Sequence, residues 1–171
     1  MLNFGTTDAA KQKVDALLWF KLKPTVDGLG NVTAVTSTQG YIFPPLGYSL
    51  IYPAFGLHKA GGGVLGMTIS NRSAAVIGGF PGTAFIRFNG TAPVGNILVS
   101  GKGAEANDDF TACARPPLGD GTGVSRWGDY GAAVVDAASG KFFIANEYIP
   151  KRSTANPLTI QTNWGTFITL Q

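Results

Sequence analysis

Along most of the chain, apolar residues recur at every second position or in short runs that Gly, Pro, Asn or Asp bring to an end. Val, Thr, Ile and aromatic residues in such a period are typical of half-buried β-strands. Nine segments fit this pattern: about 16–23, 32–41, 50–56, 64–70, 83–88, 96–100, 129–135, 141–148 and 164–170. Residues 6–14 lack the alternation and indicate a short helix or a frayed lead-in. The pattern predicts an all-β protein.

Composition supports this fold class and excludes several functions. The 171 residues are 44% apolar and only 13% charged, with 24 Gly and 10 Pro, as expected for one turn-rich domain with a sizeable core. The 13 Lys and Arg residues are scattered, whereas a nucleic-acid surface needs a basic stripe. No apolar run approaches the roughly 20 residues of a membrane span, and residues 1–13 lack the apolar centre of a signal peptide.

The sequence repeats itself at an offset of 78 residues, which places Tyr52 on Tyr130 (130 − 52). At this offset Gly62 falls on Gly140 and Thr68 on Asn146 without a gap. The repeat unit is a four-stranded antiparallel meander. Repeated meanders of this size are the signature of the blades of a β-propeller.

On this interpretation residues 1–171 form a single partial β-propeller domain. The segment of about 15–43 forms the end of one blade, the segment 48–101 forms a complete blade, and the segment 126–171 forms the last blade. A closed propeller needs at least about four blades, so the outermost sheet faces would stay apolar and uncovered. We therefore expect the chain to associate with itself, as a homodimer or homotrimer that completes a ring.

The last predicted blade resembles a known kind of ending. The residues that carry the likeness are Arg126-Trp127-Gly128-Asp129-Tyr130, Val135-Asp136, residues 143–149 and Asn163-Trp164-Gly165-Thr166. They look like the C-terminal blades of secreted bacterial sialidase-like (BNR-repeat-type) β-propeller proteins. The resemblance implies an extracellular or periplasmic location for the parent protein, although this chain shows no signal peptide.

The resemblance does not extend to sialidase catalysis. An Asp-box reads Ser-x-Asp-x-Gly-x-Thr-Trp, whereas here Asp136 stands four residues before Gly140 and a Phe replaces the Trp. The arginine trio and the Tyr/Glu nucleophile pair of a sialidase also need more blades than this length supplies.

Three side chains are candidates for catalysis: Asp129, Glu147 and His58. Carboxylates across a hairpin can bind a cation or share acid–base work, and an imidazole at a hairpin tip can act as a base or a ligand. The alternative for Asp129 is that it caps a turn and pairs with Arg126. The alternative for His58 is a surface or packing role.

Aromatic residues at the blade corners are candidates for ligand binding. Trp127 and Trp164, with Tyr130 and Arg126, could form a platform on which a sugar stacks. The alternative is that the two indole rings pack at the corners, where the following Gly permits a close turn.

One loop has the oxygen ligands that calcium prefers. Asp108 and Asp109, with Asp120 further on, could hold a calcium ion, the only cofactor that the sequence suggests. The alternative is a solvated acidic loop, since the spacing matches no EF-hand.

Two functions remain open. The first is a propeller-type recognition or structural module of an extracellular bacterial protein, which binds glycan or protein surfaces. The second is a hydrolase of glycosidic, ester or lactone bonds with a metal or carboxylate site at the propeller channel. No Gly-x-Ser-x-Gly or His-Glu-x-x-His motif occurs to decide for an enzyme, and the fold class alone cannot choose.

Overall fold

The computed structural model describes residues 2–71, 79–105, 130–151 and 165–171. These ranges contain strands and turns but no helix, which confirms the all-β class. Ten strands are present in them: β1 (Leu2–Thr7), β2 (Lys13–Val26), β3 (Val32–Ile42), β4 (Tyr48–Leu57), β5 (Gly63–Asn71), β6 (Gly82–Phe88), β7 (Pro93–Gly101), β8 (Ala132–Val135), β9 (Phe142–Tyr148) and β10 (Gly165–Leu170).

The strands form three separate antiparallel meanders. The N-terminal sheet has the order β1-β2-β3, the central sheet β4-β5-β6-β7 and the C-terminal sheet β8-β9-β10. In each sheet, neighbouring strands are consecutive in the chain. The repeat predicted antiparallel meanders of four strands; the central sheet has four, and the two outer sheets have three each among the described residues.

The N-terminus differs from the expectation of a short helix or a frayed lead-in. Leu2–Thr7 is a strand that pairs in full with residues 13–18 of β2. Its alternation of Leu2, Phe4 and Thr6 is only three steps long. The following Asp8-Ala9-Ala10-Lys11 resembles the start of a helix but forms the turn between β1 and β2.

The hairpin of β2 and β3 extends beyond the rest of its sheet. Every residue from 20 to 39 is exposed, and the register shifts between Lys21 and Leu22. Because β1 pairs with β2 only as far as Leu18, one side of the outer half of β2 has no neighbour in its sheet. That free side lets the strand include Pro24, which cannot donate to a ladder.

The larger hydrophobic core lies between the N-terminal and central sheets. Its fully buried side chains include Leu17, Leu50, Leu65 and Met67, and the burial of each stabilises the fold by about 1.5–3 kcal/mol. Trp19 meets Phe88 edge to face, with the ring centroids 5.6 Å apart. Along β5, the odd-numbered residues face this core.

A second, smaller core lies between the central and C-terminal sheets. Val64 and Phe85 pack against Ile144 there, with Ala133 and Phe142 at the margin. The glycines of the central sheet allow this close approach. A β-carbon on Gly66 would overlap Ile144 Cγ2, and one on Gly56 would come within 3.3 Å of the Ala133 main chain.

The central sheet is thus covered on both faces, and the chain is a stack of three sheets. In β5 the residues Leu65, Met67 and Ile69 face the N-terminal sheet, while Val64, Gly66 and Thr68 face the C-terminal sheet. In β9, Ile144 and Asn146 face the central sheet. Since side chains alternate along a strand, Phe143, Ala145 and Glu147 lie on the opposite, outer face.

Candidate functional site

His58 caps a hairpin turn. Its Nδ1 accepts a hydrogen bond of 3.0 Å from the Ala60 N–H, while the Gly61 N–H donates to the His58 carbonyl. Gly61 follows in the left-handed region with a φ of 96°. This is a three-residue hairpin loop that ends in a left-handed residue.

Two other hairpins are built in the same way with aspartate in place of histidine. Asp8 Oδ1 accepts from the Ala10 and Gln12 amides, and Lys11 takes the left-handed position with a φ of 59°. Asp27 Oδ1 accepts from the Leu29 and Asn31 amides, and Gly30 takes the left-handed position. The residue just before each three-residue loop is therefore a cap, and His58 supplies an imidazole nitrogen where Asp8 and Asp27 supply a carboxylate.

The turn geometry corrects the ungapped repeat. Gly61, not Gly62, matches Gly140, because both take a positive φ just before the second strand of a hairpin. The β8–β9 loop is one residue longer, since Val135 pairs with Phe142 whereas Leu57 pairs with Gly63. The offset is therefore 78 up to the turn and 79 (140 − 61) after it, which places Met67, not Thr68, on Asn146.

The structure does not bring His58 and Glu147 together. His58 Nε2 lies 3.7 Å from the position of a β-carbon on Gly140, at the hairpin end of the C-terminal sheet. Glu147 lies near the other end of β9, half-buried on the outer face and paired with Thr166. The six residue steps from Lys141 to Glu147 span roughly 20 Å of strand, so the two groups cannot share a proton.

The remaining predicted site residues divide into one that is described and seven that are not. Tyr130 precedes β8 and is 83% exposed. The others lie outside the described residues: Arg126, Trp127, Asp129, Trp164, Asp108, Asp109 and Asp120. The sugar platform and the calcium site therefore stay predictions.

Among the described residues, no group of three or more His, Cys, Asp or Glu side chains is placed to hold a metal ion. Three aspartates there serve turns. A hydrogen bond from the Ser139 hydroxyl holds the pKa of the Asp136 carboxyl below its ordinary value, and the Ala138 and Ser139 amides add to the effect. The pKa of Asp8 is lowered by the Gln12 amide above all, and that of Asp27 by the Asn31 side chain.

An aromatic groove between the N-terminal and central sheets was not predicted. Trp19, Phe88 and Phe55 line it, with Phe55 and Phe88 edge to face at 5.0 Å, and its volume is about 440 Å³. Lys21 reaches across to donate a hydrogen bond of 2.9 Å to the Gly90 carbonyl. Each of the three rings belongs to a strand that the alternation of apolar and polar residues in the sequence predicts. Which rings meet depends on how the sheets stack, and alternation does not encode that.

The outer face of the C-terminal sheet carries an apolar patch that the described part of the chain leaves exposed. Four large side chains share it because Val134 and Leu170 both pair with Phe143, and Ile168 pairs with its neighbour Ala145. Val134 is 57% exposed, Leu170 50%, Phe143 42% and Ile168 66%. A patch of this kind on one face of a sheet is the usual mark of an interaction surface.

The N-terminal sheet carries a second uncovered apolar patch, which is aromatic. Phe4, Tyr41 and Phe43 contact one another with ring centroids 5.4 to 6.3 Å apart. Tyr41 and Phe43 are more than half exposed, and Leu2 lies on the same stretch of β1 at 60% exposure. The stack thus ends in an apolar patch at both sheets.

Comparison with family models, with curated proteins and with solved structures found no match. A search of the described ranges for a helix long and apolar enough to cross a bilayer also found none.

Proposed function

We propose that this chain is a propeller-type recognition or structural module of an extracellular bacterial protein, and that it completes its sheet stack with a second copy of itself. The proposal rests on one observation. The repeat makes the outer face of the C-terminal sheet equivalent to the face of the central sheet on which the C-terminal sheet packs. The arrangement calls for no catalytic group among the described residues.

The equivalence follows from the corrected repeat. After the hairpin turn, the offset of 79 residues places Val64 on Phe143 and Gly66 on Ala145. Val64 and Gly66 lie on the face of the central sheet that seats the C-terminal sheet. Phe143 and Ala145 lie on the corresponding face of the C-terminal sheet, and Phe143 is 42% exposed. A further sheet would therefore find there the kind of surface that the central sheet already offers.

The occupant we favour is the aromatic patch of another copy's N-terminal sheet. A contact between two different faces is head to tail, and repeated contacts of this type close into a ring when the rotation permits. In a β-propeller each blade seats the next in this way, so a few short chains would supply the blades of one ring. Both patches would be removed from water by the same contact.

Recognition of glycan or protein surfaces is the outward function of such a module. Support comes from the aromatic groove of Trp19, Phe55 and Phe88, because aromatic rings at the edge of a cavity stack on sugar faces and pack on apolar side chains. The extracellular assignment rests on the resemblance of residues 126–166 to the secreted propeller proteins.

The hydrolase alternative gains no support from the described geometry. His58 caps a turn and lies roughly 20 Å along the strand direction from Glu147. His58→Asp tests the alternative directly, because aspartate caps the two equivalent turns. A turnover of esters, lactones or glycosides that this substitution abolishes in a folded protein would favour the hydrolase.

The test of the proposal is the mass of the protein in solution. Light scattering at micromolar concentration should give a dimer or trimer for the natural chain. Val134→Lys combined with Ile168→Lys should give a folded monomer, since two cations would stand on the apolar face. Val35→Lys is the matched control, because Val35 is 64% exposed but lies on the projecting hairpin of β2 and β3. A stable monomer of the natural chain contradicts the proposal.

A further inference from the structure

A cavity lies at the hairpin end of the contact between the central and C-terminal sheets. It has a volume of about 440 Å³, within the range of sites that hold small organic ligands. Its walls are Val64 and Val94 of the central sheet and Phe142 of the C-terminal sheet. Three glycines, Gly62, Gly63 and Gly140, keep its floor free of side chains. The space is thus apolar in the body and open to main-chain groups at the turns.

Two cationic side chains stand in the lining of this cavity. Arg87 comes from β6 and Lys141 from the turn before β9, and no Asp or Glu is among the described residues that line it. Arg87 Nη2 donates a hydrogen bond of 3.0 Å to Gln171 Oε1, which orients the guanidinium group across the two sheets. The nearest turn carboxylate, Asp136, is occupied by the hydroxyl and amide of Ser139. Two like charges therefore line one partly apolar space.

His58 adds a neutral donor beside the same turns. Because its Nδ1 accepts the Ala60 N–H, the proton of the neutral ring belongs on Nε2. That nitrogen lies 3.7 Å from the position of a β-carbon on Gly140, one of the lining residues. The polar groups at this end of the cavity are thus predominantly donors.

From this arrangement we infer that the cavity binds a small molecule that carries an oxyanion on an apolar body. A phosphate, sulfate or carboxylate would accept from Arg87 and Lys141, for which charge-assisted hydrogen bonds are the strong kind. The apolar part would pack on Val94 and Phe142. An inorganic ion alone would fill only a fraction of the volume, so the body of the ligand contributes to binding.

The experiment is a titration followed by amide chemical shifts, with phenyl phosphate, benzoate, phenol and inorganic phosphate as probes at constant ionic strength. Phenyl phosphate or benzoate should shift the amides of residues 61–63 and 140–142 and saturate. Phenol and inorganic phosphate should each bind at least about tenfold more weakly than phenyl phosphate, since each lacks one half of the ligand. Arg87→Gln and Lys141→Gln should each weaken binding of the aromatic anion by about tenfold.

Lys59→Gln is the matched control, because Lys59 is exposed in the neighbouring turn and does not line the cavity. It should leave the affinity unchanged. Equal binding of phenyl phosphate by all three variants would overturn the proposal. Inorganic phosphate binding as well as phenyl phosphate would also overturn it, because the site would then hold an adventitious ion only. Arg87 and Lys141 are both exposed, so the two variants should keep the fold.

Discussion

Met67 of β5 and Asn146 of β9 occupy equivalent positions in successive sheets. Each comes six residues after the left-handed glycine of its hairpin, Gly61 or Gly140, and each faces the preceding sheet. Met67 is wholly buried in the larger core. Asn146 is 1% exposed, and among the described residues both its Oδ1 and its Nδ2 lack a hydrogen-bond partner. The repeat thus places an apolar residue in one sheet and an unsatisfied amide in the next.

Replacing Asn146 by leucine should therefore stabilise the protein. Leucine has the same branching as asparagine and puts methyl groups where the two unpaired polar atoms stand. Each unsatisfied buried group costs about 1–3 kcal/mol, so we expect a gain of about 1 kcal/mol or more in the free energy of unfolding. Urea denaturation measures it. A loss of stability would mean that Asn146 has a bound partner, such as an ordered water molecule.

Met67→Asn is the reciprocal variant. It should destabilise the fold by about 3 kcal/mol or more, because it removes a buried apolar side chain and adds an unpaired amide. A loss of stability in Met67→Asn together with a gain in Asn146→Leu would tie both effects to the same position of the repeat.

The contact between the central and C-terminal sheets depends on Gly66. A β-carbon there would overlap Ile144 Cγ2 and lie 2.8 Å from Asn146 Oδ1, so Gly66→Ala should destabilise the fold by about 1–3 kcal/mol. Gly5→Ala serves as the control, because a β-carbon at Gly5 in β1 meets nothing within 4 Å. Thermal unfolding should show a lower Tm for the first variant and an unchanged or higher Tm for the second.

The three equivalent turns make a separate prediction for Lys11. It takes a φ of 59° at the position where the turns of Asp27 and His58 have glycine. A left-handed conformation costs a non-glycine residue about 1–2 kcal/mol, so Lys11→Gly should raise the free energy of unfolding by somewhat less than that. Gly30→Lys in the equivalent turn should lower it. An unchanged stability in both variants would show that these turns open before the sheets unfold.

Sequence alone predicts the strands of this protein better than it predicts its sites. Alternation and β-branched residues identified β2 to β10 although their burial differs: β5 is buried on both faces, whereas residues 32 to 39 of β3 are exposed. Alternation missed β1, where Leu2 and Phe4 give too few steps. The turn role of His58 becomes evident only from the structure, where it holds the same position as Asp8 and Asp27 in their turns. The contacts of Trp19 with Phe88 and of Gly66 with Ile144 depend on sheet stacking, which brings together residues far apart in the chain and leaves no periodic signal.

Acid should weaken the link between the N-terminal and central sheets through Asp8. Its Oδ1 caps the β1–β2 turn, and its Oδ2 accepts a hydrogen bond of 2.9 Å from the Gly47 amide just before β4. Hydrogen bonds, the strongest from the Gln12 amide, hold the pKa of this carboxyl below its ordinary value of 3.8. A lowered native pKa contributes stability that is present above the unfolded value and is lost as the pH falls through the native one.

Asp8→Asn should therefore lower the Tm at pH 7, and its difference from the natural chain should shrink as the pH falls from about 4 through the lowered native pKa, below which the natural carboxyl is protonated as well. Asp27→Asn is the control, since Asp27 caps the same kind of turn at the exposed end of the β2–β3 hairpin and contacts no second sheet in its hydrogen bonds. It should change the Tm less at every pH. A difference between Asp8→Asn and the natural chain that stays constant from pH 7 to pH 3 would show that the Asp8 charge does not contribute.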